Sequence, residues 1–116
     1  MGLNHVALTV ADPERSATFY GEHFGLSARV HDDEHLLILA DGEGDDGLLA
    51  LSQGEPSPVL PRTNHFGFQL STAAAVHRAR ERLAAAGVEE SEWQDDGMTR
   101  VQVFDPDGYR VELFAF

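Results

Sequence analysis

Alternation of apolar and polar residues opens the chain and then returns at its middle. The run Leu3-Asn4-His5-Val6-Ala7-Leu8 is matched by Thr63-Asn64-His65-Phe66-Gly67-Phe68. Both runs carry Asn-His followed by a period of two, which is typical of a half-buried β-strand. The sequence therefore predicts an internal repeat, with one strand at the start of each copy.

Each predicted strand leads into a helix with recognisable ends. In the first copy Asp12 is a good N-cap, and the helix is predicted to run to about His23. In the second copy Ser71 or Thr72 caps a helix that Gly87 ends. Three short strands are predicted after each helix, over 26–30, 36–40 and 48–52 in the first copy and over 89–93, 98–104 and 109–114 in the second.

The result is two βαβββ modules, over about 1–54 and 63–116, joined by a proline-containing linker at 53–62. A module of roughly 55 residues buries little surface alone, so both are expected to form a single domain. We predict an α+β fold whose paired modules form a curved half-barrel sheet with the helices outside. Asp105-Pro106-Asp107-Gly108 is a strong hairpin turn, and the acidic segment 41–47 is interpreted as a solvated hairpin tip.

Composition excludes several functional classes. There is no cysteine, so thiolate metal sites and disulfides are ruled out. The net charge of -12 disfavours nucleic acid and anionic membranes as partners. No apolar run approaches the roughly 18 residues of a membrane span, and no signal peptide is recognisable, so a cytoplasmic location is expected.

Aligning the ends of the modules suggests a metal site. Matching Leu49-Ala50-Leu51 to Val111-Glu112-Leu113 makes His5, Ala50, His65 and Glu112 four equivalent points of the repeat. A carboxylate in an otherwise apolar strand is costly unless it is paired or binds a metal. Two histidines and one carboxylate leave open positions on a single Fe, Mn, Zn or Ni ion.

A structural role is the simpler interpretation of any one of these residues. A lone histidine in a strand is more often a satisfied core or surface residue than a ligand, and only the repeat raises His5 and His65 above this. The other four histidines are predicted to have surface roles; they are His23, His31, His35 and His77.

These motifs resemble the vicinal oxygen chelate superfamily, which includes glyoxalase I, fosfomycin-resistance transferases, extradiol dioxygenases and bleomycin-resistance proteins. The resemblance covers essentially the whole chain, and its most specific carrier is the run from Phe104 to Glu112. It implies one divalent metal bound by His5, His65 and Glu112, and a small substrate that chelates the metal through neighbouring oxygens. It also implies a homodimer, in which His5 meets His65 and Glu112 of the partner chain.

One position departs from glyoxalase I, which has a carboxylate where this chain has Ala50. Alanine neither binds a metal nor moves a proton, so glyoxalase I isomerisation is not expected. The three-ligand pattern is closer to fosfomycin-resistance transferases and dioxygenases. Phosphonate binding, however, calls for several cations, and only Arg100 and Arg110 are plausible inward ones.

Two further functions stay open beside a metal-dependent lyase, transferase or dioxygenase. One is a metal-free protein that sequesters an antibiotic or metabolite, and the other is metal binding without turnover. Strand alternation through the proposed ligands predicts the lining of the cleft. Besides Ala7 and Gly67, the predicted substrate-binding residues are Thr9, Ala50, Ser52, Gln69, Arg100, Gln102, Phe104 and Phe114.

Overall fold

A computed structural model describes residues 1–42 and 47–116, which divide into two compact units, Met1–Pro58 and Val59–Phe116. Each unit contains one helix and one four-stranded sheet, in the order βαβββ, so the predicted α+β class and module order are confirmed. The first unit holds β1 (His5–Val10), α1 (Pro13–Phe24), β2 (Ala28–Asp32), β3 (Leu36–Ala40) and β4 (Leu48–Gln53). The second holds β5 (Phe66–Gln69), α2 (Ala73–Ala85), β6 (Glu90–Asp96), β7 (Met98–Phe104) and β8 (Arg110–Ala115).

Both sheets have the same topology. The strand orders are β1-β4-β3-β2 and β5-β8-β7-β6, so the first strand of each unit pairs with the last. That pairing is parallel, and the others are antiparallel. A parallel neighbour requires a crossover connection, which the helix and the two intervening strands supply in each unit.

The helices begin where the sequence predicts. The Asp12 side chain accepts hydrogen bonds from the backbone N–H groups of Glu14 and Arg15, at 3.1 and 3.3 Å. Thr72, rather than Ser71, caps α2 by accepting from Ala75 N at 3.1 Å. These caps satisfy N–H groups that have no partner inside the helix.

Alternation along the strands gives each sheet one apolar face, and the helix packs on it. In the first unit α1 lies against β3 and β4, where Leu37, Leu39, Leu49 and Leu51 are buried. In the second unit α2 lies against β7 and β8. Its buried residues Val76, Ala79 and Leu83 face a core containing Val101, Val103, Val111 and Leu113. Since side chains alternate, the remaining residues of these strands lie on the opposite face of each sheet.

Two strands differ from the prediction. β2 begins at Ala28 rather than residue 26, because Leu26 N donates to Tyr20 O and the residue belongs to the end of α1. β6 extends to Asp96 rather than ending at Trp93, because its pairing with β7 continues to the tight turn at Gly97. The predicted hairpin tip at 41–47 lies largely outside the described residues.

The Asp105–Gly108 turn joins β7 and β8 as predicted. Asp105 is buried and accepts hydrogen bonds from the backbone N–H groups of Asp107 and Tyr109, both at 2.9 Å. Gly108 adopts a φ of 91°. The turn thereby fixes the register of the strand that carries Glu112. In the described part of the chain, neither helix is long and apolar enough to cross a bilayer.

Candidate metal centre

Strand register places the equivalent points of the two sheets on matching rungs. In the second unit Gly67 pairs with Glu112, and in the first unit Ala7 pairs with Ala50. His65 and His5 each lie two residues before these rungs, on the same face of their sheets by strand alternation. Leu49 and Leu51 are buried on the helix side, so Ala50 occupies the position that matches Glu112.

Glu112 is a nearly buried carboxylate on the face that α2 leaves uncovered. It is 6% exposed, and its Oε2 lies 3.3 Å from His65 Nε2 and 3.3 Å from Arg100 Nη1. A buried charge is tolerated only with such partners. The second unit therefore brings two of the three proposed ligands into direct contact.

Both proposed histidine ligands have Nδ1 held by an oxygen. His65 Nδ1 donates to the Thr63 carbonyl at 2.8 Å, and His5 Nδ1 donates to Asn4 Oδ1 at 3.0 Å. A proton fixed on Nδ1 leaves the lone pair on Nε2 in the neutral ring. Metal-binding histidines are commonly oriented this way by a second hydrogen bond.

Gly67 provides the space that the Glu112 side chain occupies. A Cβ at this position would lie 2.5 Å from Glu112 Cγ and 3.1 Å from its carbonyl oxygen. The rung thus combines the smallest residue with a long carboxylate, whereas the matching rung of the first unit pairs two alanines, Ala7 and Ala50. The two sheets therefore differ at both residues of this rung, and the small residue in the second sheet matches the long carboxylate opposite it.

Arg100 links Glu112 to a second acid, Glu92. Its Nη2 donates to Glu92 Oε2 at 2.7 Å, and its Nε donates to Gln94 Oε1 at 3.1 Å. Arg62 lies 2.9 Å from the other oxygen of Glu92. The hydrogen bond from Arg100 lowers the pKa of Glu92, and the Glu92 hydrogen bond raises the pKa of Arg100. Each of the three guanidinium nitrogens of Arg100 thereby donates one hydrogen bond to an acceptor of the chain.

A cavity of about 320 Å³ opens beside the His65–Glu112 pair. Its lining includes Arg100 and Gln102, which the sequence predicted, and residues that the sequence did not single out: Thr63, Glu92, Gln94 and Met98. The polar alternation about Trp93 could have indicated Glu92 and Gln94. They were missed because β6 was expected to end at Trp93, before the alternation became apparent.

The predicted substrate-binding residues lie on the helix-free faces of the two sheets. In the second unit, Gln102 of β7 pairs with Glu112 of β8. Phe114 of β8 lies between Arg100 of β7 on one side and Gln69 of β5 on the other. Gln102 is buried and accepts a hydrogen bond from Ser91 Oγ at 3.1 Å. In the first unit, the predicted residues form two adjacent rungs, Ala7 with Ala50 and Thr9 with Ser52.

The remaining histidines bind other partners. His31 Nε2 is 2.8 Å from Asp33 Oδ2, and this contact contributes to holding the pKa of Asp33 at about 2. His77 Nε2 lies 3.0 Å from Asp95 on the α2 side of the second sheet. Among the residues outside 43–46, no group of three potential ligands already stands together. His5 belongs to the first unit, and His65 and Glu112 belong to the second.

The chain belongs to the Glyoxalase/Bleomycin resistance protein/Dioxygenase superfamily, whose family model matches residues 2–113. This match includes all three proposed ligands. The expected superfamily resemblance is thus confirmed.

Three relatives illustrate the range of the family. The chain is 27% identical, over 95% of its length and 77% of the other protein, to a probable trivalent organoarsenical cleaving enzyme of Bacillus subtilis. A structure of a possible glyoxalase from Bacillus cereus aligns with a TM-score of 0.82, at 26% identity over 97% of each chain. The fosfomycin resistance protein of Listeria monocytogenes, in complex with Mn(II) and sulfate, aligns with a TM-score of 0.81, at 22% identity over 98% of this chain and 89% of that one.

Proposed function

We propose that this protein is a metal-dependent enzyme that acts on a small, oxygen-rich substrate, with the metal bound by His5, His65 and Glu112. The observation that carries the proposal is the contact of His65 Nε2 with the buried Glu112 carboxylate at 3.3 Å, with His65 Nδ1 already occupied. Two ligands in neighbouring positions of one metal ion are separated by about 3 Å, so these donor atoms fit a shared ion.

The donor set limits the choice of metal. Two imidazoles and one carboxylate suit Fe(II), Mn(II), Zn or Ni rather than a soft ion, because the chain has no thiolate to offer. Such an ion supplies Lewis acidity to a substrate that presents two neighbouring oxygens. The Mn(II) complex of the Listeria protein supports a hard divalent ion in a site of this fold.

The residues of the chain account for holding the ligands in place. Thr63 fixes the ring of His65, Gly67 leaves room for Glu112, and Arg100 offsets the carboxylate charge. A metal-free binding protein needs none of these supports. The arrangement therefore favours metal binding over the metal-free sequestering protein that the sequence left open.

The activities named for relatives limit the proposal further. Trivalent arsenic is a soft centre that binds thiolates, and this chain has no cysteine, so we do not propose cleavage of organoarsenicals. Ala50 supplies no carboxylate opposite Ala7, so we do not propose glyoxalase I isomerisation. A lyase, transferase or dioxygenase that chelates its substrate through the metal is the reaction class we propose.

Elemental analysis of protein purified without chelator, followed by titration with Mn(II), Fe(II), Zn and Ni, tests the site. We expect one tightly bound metal per chain, and none in Glu112→Ala or Glu112→Gln. Glu22→Gln is the matched control, since Glu22 is an exposed carboxylate of α1. Wild-type metal stoichiometry in the Glu112 variants would overturn the metal site and leave the His65–Glu112 contact as a side-chain pair alone.

A further inference from the structure

Arg110 is a cation on the ligand face whose charge no acid of the described chain offsets. It lies on β8, two residues before Glu112, and it pairs with Phe104 across the β7–β8 ladder. Its guanidinium carbon lies 5.4 Å from the centre of the Phe104 ring. Within residues 1–42 and 47–116 it makes no hydrogen bond or ion pair, and its Nε is buried without a partner.

An unpaired arginine away from the exposed surface is unexpected in this protein. The chain carries 20 acidic residues against 8 arginines, and Arg78 and Arg82, which also form no ion pair in the described chain, are exposed on α2. Arg100, on the same face, shows the usual outcome, since Glu92, Gln94 and Glu112 occupy its donor groups. The Nε of Arg110 is covered by the protein, whereas its two Nη groups, which also have no acceptor in the described chain, stay accessible. A guanidinium without an acceptor is unfavourable in a half-buried position, and a ligand at the Nη groups would supply one.

We propose that Arg110, stacked on Phe104, binds a carboxylate group of the substrate. This inference rests on the proposed function, because it assumes that the substrate's other end is chelated at the metal. Two residues along a strand span about 7 Å, so the carboxylate and the chelating oxygens are expected at opposite ends of a small substrate. The substrate class is thus a small acid with two neighbouring oxygens at one end and a carboxylate at the other.

A carboxylate fits this arginine better than a phosphonate or phosphate. The planar guanidinium presents its donors as a fork that matches the two oxygens of a carboxylate. A doubly charged phosphonate calls for more than one free cation, and Arg100 is already committed to Glu92 and Glu112. The Phe104 ring, over which the Arg110 guanidinium lies, offers an apolar surface beside the bound carboxylate.

Two matched probes test the inference on the Mn(II)-loaded protein. The first is 3,4-dihydroxybenzoate, which has two neighbouring oxygens on a flat ring and a carboxylate at the far side. The second is 3,4-dihydroxybenzamide, which has the same shape without the charge. Calorimetry should show that the wild type binds the acid at least about tenfold more tightly than the amide, as a charge-assisted hydrogen-bonded pair requires.

The variants then assign the preference to one side chain. Arg110→Met should bind the acid and the amide about equally, because loss of the cation weakens binding of the acid far more than binding of the amide. Arg110→Lys should keep part of the preference, since it retains the charge but loses the fork. Arg78→Met, on the exposed surface of α2, is the control and should keep the whole preference.

The outcomes separate this inference from the proposed function. Equal affinity of wild type for both probes, or an undiminished preference in Arg110→Met, would overturn the assignment of Arg110 while leaving the metal site intact. Failure of the wild type to bind any of Mn(II), Fe(II), Zn and Ni would overturn the proposed function, and the inference with it. Thermal unfolding of each variant establishes that the comparison is made between folded proteins.

Discussion

Gly67 and Glu112 form a pair in which each residue depends on the size of the other. A Cβ on residue 67 would approach Glu112 Cγ to 2.5 Å, well inside van der Waals contact. The matching rung in the first unit has Ala7 opposite Ala50, where neither side chain needs extra space. A single methyl group at residue 67 therefore decides whether a carboxylate fits at residue 112.

Gly67→Ala is expected to destabilise the protein and weaken its metal binding together. Either the Glu112 side chain leaves its position or the two strands separate, and overpacking of this kind costs about 1–3 kcal/mol. Urea unfolding and Mn(II) titration measure the two effects. Gly47→Ala is the control, because a Cβ there meets no heavy atom of the described chain within 4 Å. Metal affinity equal to wild type in Gly67→Ala would contradict the role given to this glycine.

At the scale of elements, three strands share one network of charges. Arg100 on β7 joins Glu92 on β6 to Glu112 on β8, at 2.7 and 3.3 Å. Because Arg100 donates to Glu92, the carboxylate form is favoured in the folded protein and its pKa is lowered. The stabilisation that follows is fully present above the ordinary pKa of a glutamate, and it is lost as the pH falls through the lowered pKa.

Glu92→Gln should therefore reduce stability near neutral pH and have progressively less effect in acid. Urea unfolding of the metal-free protein at a series of pH values measures the difference from wild type. The control is Glu81→Gln, an exposed residue of α2, whose difference from wild type should not vary in this way. A Glu92→Gln effect that is constant down to the acid-unfolding range would contradict the coupling to Arg100.

The β1–β4 rung allows the missing carboxylate to be restored. Ala50→Glu alone would place a long side chain opposite Ala7, a crowding that the second sheet avoids with glycine. The double variant Ala7→Gly with Ala50→Glu reproduces the second sheet's rung, and we expect it to fold better than Ala50→Glu.

We expect the wild type to have negligible methylglyoxal–glutathione isomerase activity with Ni, Co, Zn, Mn or Fe. The double variant should change the order of metal preference, because a fourth protein ligand replaces an open position. Metal titration and isomerase assays measure both effects. Robust isomerase turnover by the wild type would refute this expectation, since another residue would then supply the base that Ala50 cannot.

At the scale of the whole molecule, the three proposed ligands are drawn from both units. The second unit contributes His65 and Glu112, and the first contributes His5. Homologues in this superfamily are often dimers, and we propose that this protein is a homodimer whose clefts each take residues from both chains. Sedimentation at micromolar concentration should then give twice the chain mass of 12.7 kDa.

Mixing two variants that each fail to bind metal tests whether the cleft is shared between two chains. His5→Ala and Glu112→Ala should each fail to bind metal tightly. After they are mixed and allowed to exchange subunits, a shared cleft pairs the intact His5 of one chain with the intact His65 and Glu112 of the other. One metal per heterodimer should therefore be recovered. No recovery despite subunit exchange would indicate an intramolecular cleft, and so would a monomeric wild type that binds one metal.

The sequence by itself determined the order of elements and the points of the repeat. Period-two alternation, the Asp12 and Thr72 caps and the Asp105–Gly108 turn are local signals, and each corresponds to the observed element. Alternation also identified the face that carries Glu112, because a strand turns successive side chains to opposite sides. The limits of β2 and β6 were less well predicted, since pairing with a neighbouring strand decides where a strand ends.

The tertiary structure alone decided which charged residues are paired. The sequence does not distinguish Arg100 from Arg110, since both are arginines predicted to point into the cleft. Strand pairing brings Glu92 and Glu112 to Arg100, whereas it brings the Phe104 ring to Arg110 and, among residues 1–42 and 47–116, no acid. Likewise, the space that Gly67 leaves for Glu112 exists only across the ladder between β5 and β8. Contacts between strands distant in sequence depend on register, which no local pattern records.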